Sequence, residues 1–308
     1  MGQLRSLLNR RNVTTDVTKD MNANEDFLNI IVAAHTIAAA LNVLSIKSSS
    51  DIPSVLSGIH SDATAALNSL VRSISNKFID ITFSKDKPSE VDHVFEYAKE
   101  TLSLGMIYLE FKDAVKEGDG TRVLRCWKYF LLFFRATGHT NYCIEAFNLL
   151  ALYYCILPQR FAEQMLWGRF INTVGKRGHN ISADLHMEHL NRLCKNIVNH
   201  LGAVKSPKAI LRAGKALGTV HDVLNNFDSI TNSKVSASHT SPSIAEDLLK
   251  AVELLIEKDV FTTQAGRKHR SFPSFLCSQP IRSINKPKFH TWMMEKLSLL
   301  VKESSLSR

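Results

Sequence analysis

The chain has few cysteines, the residues that build disulfide frameworks and structural zinc sites. Its five cysteines, Cys126, Cys143, Cys155, Cys194 and Cys277, are odd in number and widely spaced. Without a C-x-x-C pair no structural zinc site is expected, and reduced thiols packed as small hydrophobes are the expected state. Long apolar runs are scarce too. The greasiest stretches, "WKYFLLFFRA" and "AFNLLALYYCIL", are short or interrupted, whereas a membrane span needs roughly 20 apolar residues. Both therefore read as buried helices, and no membrane partner is expected. The opening "MGQLRSLLNRRN" has no apolar h-region, so a secretory signal is not expected and the location reads as intracellular, nuclear or cytoplasmic. Its M-G-x-x-x-S pattern fits myristoylation at Gly2, but that spacing arises often by accident and no anchor is inferred. Walker loops, G-x-S-x-G elbows and G-x-G-x-x-G fingerprints are missing as well, and no cofactor is expected.

Strand patterns are equally rare. "FIDITF", residues 78–83, alternates weakly and is the one candidate strand. Helical periods, by contrast, fill the 308 residues, of which 44% are apolar, enough for a sizeable core. The spacing predicts an all-α fold: an irregular multi-helix bundle with a central buried αα-hairpin at about 121–157 and at most one or two short strands. Asn22 or Asn24 is the expected cap of a helix carrying Phe27, Ile30, Ile31, Ala34 and Ala38. "EGDG" at 117–120 and Pro158 are expected stops, and Ser206 with Pro207 an expected start. The expected domains are a helical domain at 1–228, a flexible linker at 229–243, and C-terminal helices with a basic irregular segment at 244–308 that pack on or near the core.

Charge is distributed unevenly. A formal net charge of +9 and a pI near 9.3 favour an anionic partner, most simply DNA or RNA held weakly and without sequence preference. Lys205, Lys208, Arg212 and Lys215 crowd the start of the Ser206 helix, where the macrodipole disfavours cations. Basic loops "GKRGH" (175–179) and "GRKHRSF" (266–272) add to them. The nucleic-acid candidates are Lys176, Arg177, Lys208, Arg212, Lys215, Arg267, Lys268 and Arg270. A solvated lysine face is the commoner origin of such clusters.

"GHNISADLHMEHLNRLCKN", residues 178–196, concentrates acids and imidazoles on one helix. At 100° per residue Met187, Leu190, Cys194, Ile197 and Leu201 share one arc, and Asp184, Glu188, Asn191 and Lys195 the opposite one. Asp184 is the expected cap and Glu188 pairs with Arg192 four residues on. His186 and His189, three apart, do not match helical zinc spacing, so no metal site is predicted.

"WGRFINTVGKRGHNISADLHMEHLNRLCKNIVNHLGA" resembles the signature block of a eukaryotic family catalogued as domain of unknown function 6589. "GQLRSLLNRRNVTTDVTKDMNANEDFL" and "AGRKHRSFPSF" carry the same resemblance. It implies a transposon-associated protein and, by analogy, ribonuclease-H-like transposase ancestry, with Glu188 or alternatively Asp184 as a vestigial catalytic acid. It also implies that Met1 falls at an internal family position, so that the chain reads as an N-terminally truncated member. The strands that would carry the partner acids of a two-metal centre are missing, so no activity is expected of this chain alone. The expectation is a catalytically incomplete helical module with weak nucleic-acid affinity. The alternatives are a protein-interaction scaffold, or part of a nuclease completed by upstream sequence or another chain.

Overall fold

A computed structural model describes residues 2–10, 13, 20–47, 63–83, 91–202, 205–231, 244–268, 281 and 284–306. Among them the chain is all-α, with eleven α-helices and two strands of two residues each. The first six helices are α1 (Gly2–Leu7), α2 (Met21–Val43), α3 (Ala63–Phe83), α4 (His93–Glu117), α5 (Gly120–Ala136) and α6 (Thr140–Ala151). A π-helical turn at Leu152–Ile156 follows, then α7 (Gln159–Trp167), β1 (Phe170–Ile171), β2 (Ile181–Ser182), α8 (Ala183–His200), α9 (Pro207–Thr231), α10 (Ile244–Glu257) and α11 (Lys286–Leu306). Contacts divide the chain into two compact units. One comprises Met1–Glu110, Leu132–Thr140 and Pro242–Trp292, the other Phe111–Leu131, Asn141–Ser241 and Met293–Arg308.

In the first unit α2 starts where Asp20 accepts a hydrogen bond from the Ala23 amide at 3.1 Å. The cap is therefore Asp20 rather than Asn22 or Asn24, and Asn24 instead donates its side-chain amide to Asp20 O at 2.7 Å. Phe27, Ile30, Ile31, Ala34 and Ala38 then recur at spacings of three and four and are all buried. They join Ala98 and Leu102 of α4 and Ala251, Val252 and Leu255 of α10 in one hydrophobic cluster. Each large aliphatic side chain taken fully out of water contributes about 1.5–3 kcal/mol. α2 corrects one expectation: at 23 residues it is long and apolar enough, by length and composition, to cross a membrane. Here that apolar character is spent on packing against α10.

α2 and α10 run parallel. His35 meets Phe261 edge-on at 6.1 Å between ring centroids, and Asn42 Nδ2 donates to Thr262 Oγ1 at 3.2 Å, so both helices end on the same side. In the first turn of α10 Asp247 is paired with Arg10. α4 crosses α2 at Gly105, where an added Cβ would overlap Val32 Cγ2 and stand 3.2 Å from Cγ1. Gly105→Ala is accordingly expected to destabilise the protein by about 1–3 kcal/mol through overpacking, although alanine is the better helix former by about 1 kcal/mol. A urea midpoint unchanged or raised in this variant would show that the crossing has room to spare.

The start of α4 is tied down by a buried carboxylate. Asp92, 1% exposed, caps the helix by accepting from the amides of Val94 and Phe95 at 3.0 and 3.1 Å. It also accepts from the Gln264 amide at 2.8 Å and from Arg267 Nε at 2.9 Å, with Arg267 Nη2 2.8 Å from Oδ2. Burial raises the carboxyl's pKa, but the Arg267 hydrogen bond, the Gln264 and Phe95 amides and the guanidinium charge outweigh it and hold it below the ordinary aspartate value.

In the second unit Trp127 and Phe130 of α5 are half-buried and edge-on to Phe111 at 6.4 and 5.2 Å. Cys143 of α6 lies 3.9 Å from Leu131 O across the predicted hairpin. The π-turn closes with Leu157 N donating to Leu152 O at 3.0 Å, directly before Pro158. Of the cysteines, Cys126 and Cys143 are buried as small hydrophobes and Cys194 is half-buried, whereas Cys155 in the π-turn is exposed; Cys277 lies outside the described residues.

"FIDITF" is not a strand but the last turns of α3, and Phe78 packs against the core cluster. Among the described residues a six-residue alternation has no strand to pair with there, and the helix begun at Ala63 continues through it. Of the expected linker, 229–231 complete α9 and 232–243 lie outside the described residues.

Candidate functional site

The segment from 170 to 231 carries eight lysines and arginines against four acids. It starts as a small antiparallel hairpin in which Phe170 faces Ser182 and Ile171 faces Ile181. Its loop, 172–180, is closed by Asn172, which accepts from the Gly175 amide at 2.7 Å and donates to Lys176 O at 2.8 Å. Gly175 and Gly178 adopt φ of +71° and +73°, left-handed values that glycine takes without strain. The loop is fastened to the end of α4. Asn180 donates its backbone and side-chain amides to Lys116 O at 3.1 and 2.8 Å, and Arg177 Nε donates to Glu117 Oε2 at 2.9 Å. Arg177 is 90% exposed, so that pair adds little stability. Lys176 projects from the same loop, exposed and paired with no acid among the described residues.

Ser182, not Asp184, caps α8, its hydroxyl accepting from the Leu185 amide at 3.3 Å. Serine can turn its oxygen back onto the helix from the end of β2, leaving Asp184 in the first turn, where the dipole favours an acid. Asp184, Glu188, Asn191 and Lys195 are all exposed on one face. Glu188 and Arg192 form no ion pair among the described residues. His186 is half-buried and His189 exposed. No group of three or more histidines, cysteines or acids among the described residues is placed to hold a metal ion. The two strands bring Phe170, Ile171, Ile181 and Ser182, and no carboxylate, toward Asp184 and Glu188.

α9 begins as the sequence predicts, with Ser206 Oγ accepting from the Ala209 amide at 3.3 Å and Pro207 in the first turn. Lys208, Arg212 and Lys215, at spacings of four and three, are exposed along one side, and Lys205 precedes them. None pairs with an acid among the described residues. Lys205 and Lys208 stand against the positive end of the helix dipole, at a cost of some tenths of a kcal/mol, and an arriving anion would relieve it.

The second basic loop divides. Lys268 is exposed and Arg270 lies outside the described residues. Arg267 is turned inward: besides Asp92 it serves Asp259 O at 3.1 Å, Thr262 O at 3.2 Å and Lys258 O at 3.3 Å. With its fork engaged by a buried carboxylate and three carbonyls, it has no donor left for a phosphate. Sequence reading also missed an aromatic array around Glu163, because its members come from three separate segments.

A family model described as "Family of unknown function (DUF6589)" matches residues 1–239. Neither the curated proteins nor the solved structures yield a match.

Proposed function

The chain belongs to the DUF6589 family of unknown function, and from that premise we propose that it is a transposon-derived helical module that binds nucleic acid through its phosphates and is catalytically incomplete. The observation that carries the proposal is the row Lys208, Arg212 and Lys215 on α9, exposed and unpaired among the described residues, with Lys205 and Lys176 as further free cations. A cation row held without local acids along the first turns of a helix is what polyanion binding uses. Asp184 and Glu188 supply two carboxylates from one helix, with no acid on the neighbouring strands, so we assign them no catalytic role. A nuclear or cytoplasmic setting belongs to the same proposal, as does descent from a ribonuclease-H-like transposase.

Fluorescence anisotropy with a labelled duplex across a salt series tests it. Binding is expected to weaken steeply with salt, and the combined change of Lys208, Arg212 and Lys215 to glutamine should lower the slope of log Kobs against log[salt] by about 3, one for each phosphate contact. Absence of binding at low salt would sink the proposal.

A protein-interaction scaffold remains the second reading, on one observation. α9 has 25 residues and its antiparallel neighbour α8 only 18, so the end of α9 overhangs, leaving Phe227 60% and Ile230 81% exposed. Concentration-dependent mass in solution, together with no nucleic-acid binding, would favour it.

A further inference from the structure

A second surface of the same unit differs in kind from the α9 row. Lys128 of α5 holds its ammonium 4.8 Å from the centroid of Tyr154 in the π-turn. Tyr153 stands edge-on to Tyr154 at 4.9 Å and 84°. Its hydroxyl donates to Glu163 Oε1 of α7 at 3.3 Å, and Trp167 Nε1 donates to the other oxygen, Oε2, at 2.9 Å. One carboxylate thus fixes two aromatic side chains, and an unbroken chain of contacts runs from Lys128 to Trp167. Desolvation first, then the charge and hydrogen bond of Glu163, raise the Tyr153 pKa, which keeps the phenol a donor.

Single exposed aromatics are ordinary on protein surfaces. Here Tyr154 is 54% and Trp167 47% exposed while both are held in place. Such rigid, half-open rings lose little entropy on binding. The array is built on a π-turn, a local departure from α-helix that recurs at functional sites. Its surroundings fix the charge of the partner. Arg125, one turn before Lys128, and Arg160, one turn before Glu163, are exposed and pair with no acid among the described residues, whereas the carboxylate of Glu163 is occupied at both oxygens.

We propose that Tyr154 and Trp167 are a stacking platform for unpaired bases, with Arg125, Lys128 and Arg160 taking the phosphates of the same single strand. The proposal rests on the nucleic-acid reading above and adds to it the class of strand: a duplex hides its base faces, so the rings select single-stranded DNA or RNA.

The test compares a 12-nucleotide oligo(dT) or oligo(U) with a duplex of the same length, on the full chain. The protein has three tryptophans, Trp127, Trp167 and Trp292. Saturating oligo(dT) is expected to quench part of the tryptophan emission, and Trp167→Phe should abolish that quench. Tyr154→Ala should weaken single-strand binding about 10-fold with duplex affinity and its salt slope unchanged, and Tyr154→Phe should restore it. Lys128→Gln, which removes no ring, should lower the single-strand salt slope by about 1. Equal loss of duplex and single-strand binding, or no quench at saturation, would overturn the platform and leave the α9 proposal standing. Quenching by a trimethyllysine peptide instead would overturn it in favour of a cation cage. Failure of every oligonucleotide to bind at low salt would remove both proposals together.

Discussion

Replacing Arg267 with methionine is expected to cost about 3–5 kcal/mol of folding stability. The side chain of Asp92 is 1% exposed and that of Arg267 16%. Removing the guanidinium leaves a carboxylate out of water with only backbone amides to compensate it, and three carbonyls lose their donors as well. Methionine keeps much of the stem's packing, so the loss reports the charge. The double variant Asp92→Asn, Arg267→Met should lose less than the sum of the two single changes, because an amide does not need a counter-charge. Urea unfolding followed by circular dichroism measures all three. A loss below about 1 kcal/mol for Arg267→Met would mean that water reaches the pair and that it behaves as a surface ion pair. Acid gives an independent view. Because the folded carboxyl's pKa is depressed, its contribution is present above the ordinary value of about 4 and is lost as pH falls below that through the folded value.

His35 gives the second large effect, in a different pH window. It is 3% exposed. Burial pulls its pKa from 6.5 down to about 4, against the opposing bond from Nδ1 to Ile31 O at 2.8 Å. The ring is therefore neutral in the folded protein at pH values where the unfolded chain protonates it. The His35 contribution to stability should be level above pH 6.5, fall by up to 1.4 kcal/mol per pH unit on acidification, and level off below pH 4 after a loss of about 3 kcal/mol. His35→Leu should remove this slope between pH 6.5 and 4 while leaving the Asp92 loss at lower pH. A slope of equal size in wild type and His35→Leu would show that some other group titrates.

The features legible in the sequence are those set by neighbours in the chain. The start of the C-terminal helices at 244 is read from the sequence and matches the first residue of α10, and Pro207 marks the first residue of α9. Ser182 and Asp184 illustrate the limit of such reading, since either can cap α8 and only the chain direction leaving β2 chooses between them. Arg267 fails for another reason. Within "GRKHRSF" it looks like any solvated cation, and its partner lies 175 positions earlier. The Glu163 array combines residues from α5, the π-turn and α7, none of which forms a motif by itself. On α8 the acidic face is legible as a face, but no local pattern says whether third and fourth acids will meet it.

The parallel pairing of α2 with α10 also constrains the order in which the molecule can be made. The contact that closes their common end joins residues 220 positions apart, and α10 lies beyond the stretch matched to the family, 1–239. As the polypeptide emerges from the ribosome, α4 can cover part of the α2 stripe early, whereas the part that packs on α10 waits until about 200 further residues have been made. Slow topologies of this kind leave nascent chains prone to sticking to one another through that interval.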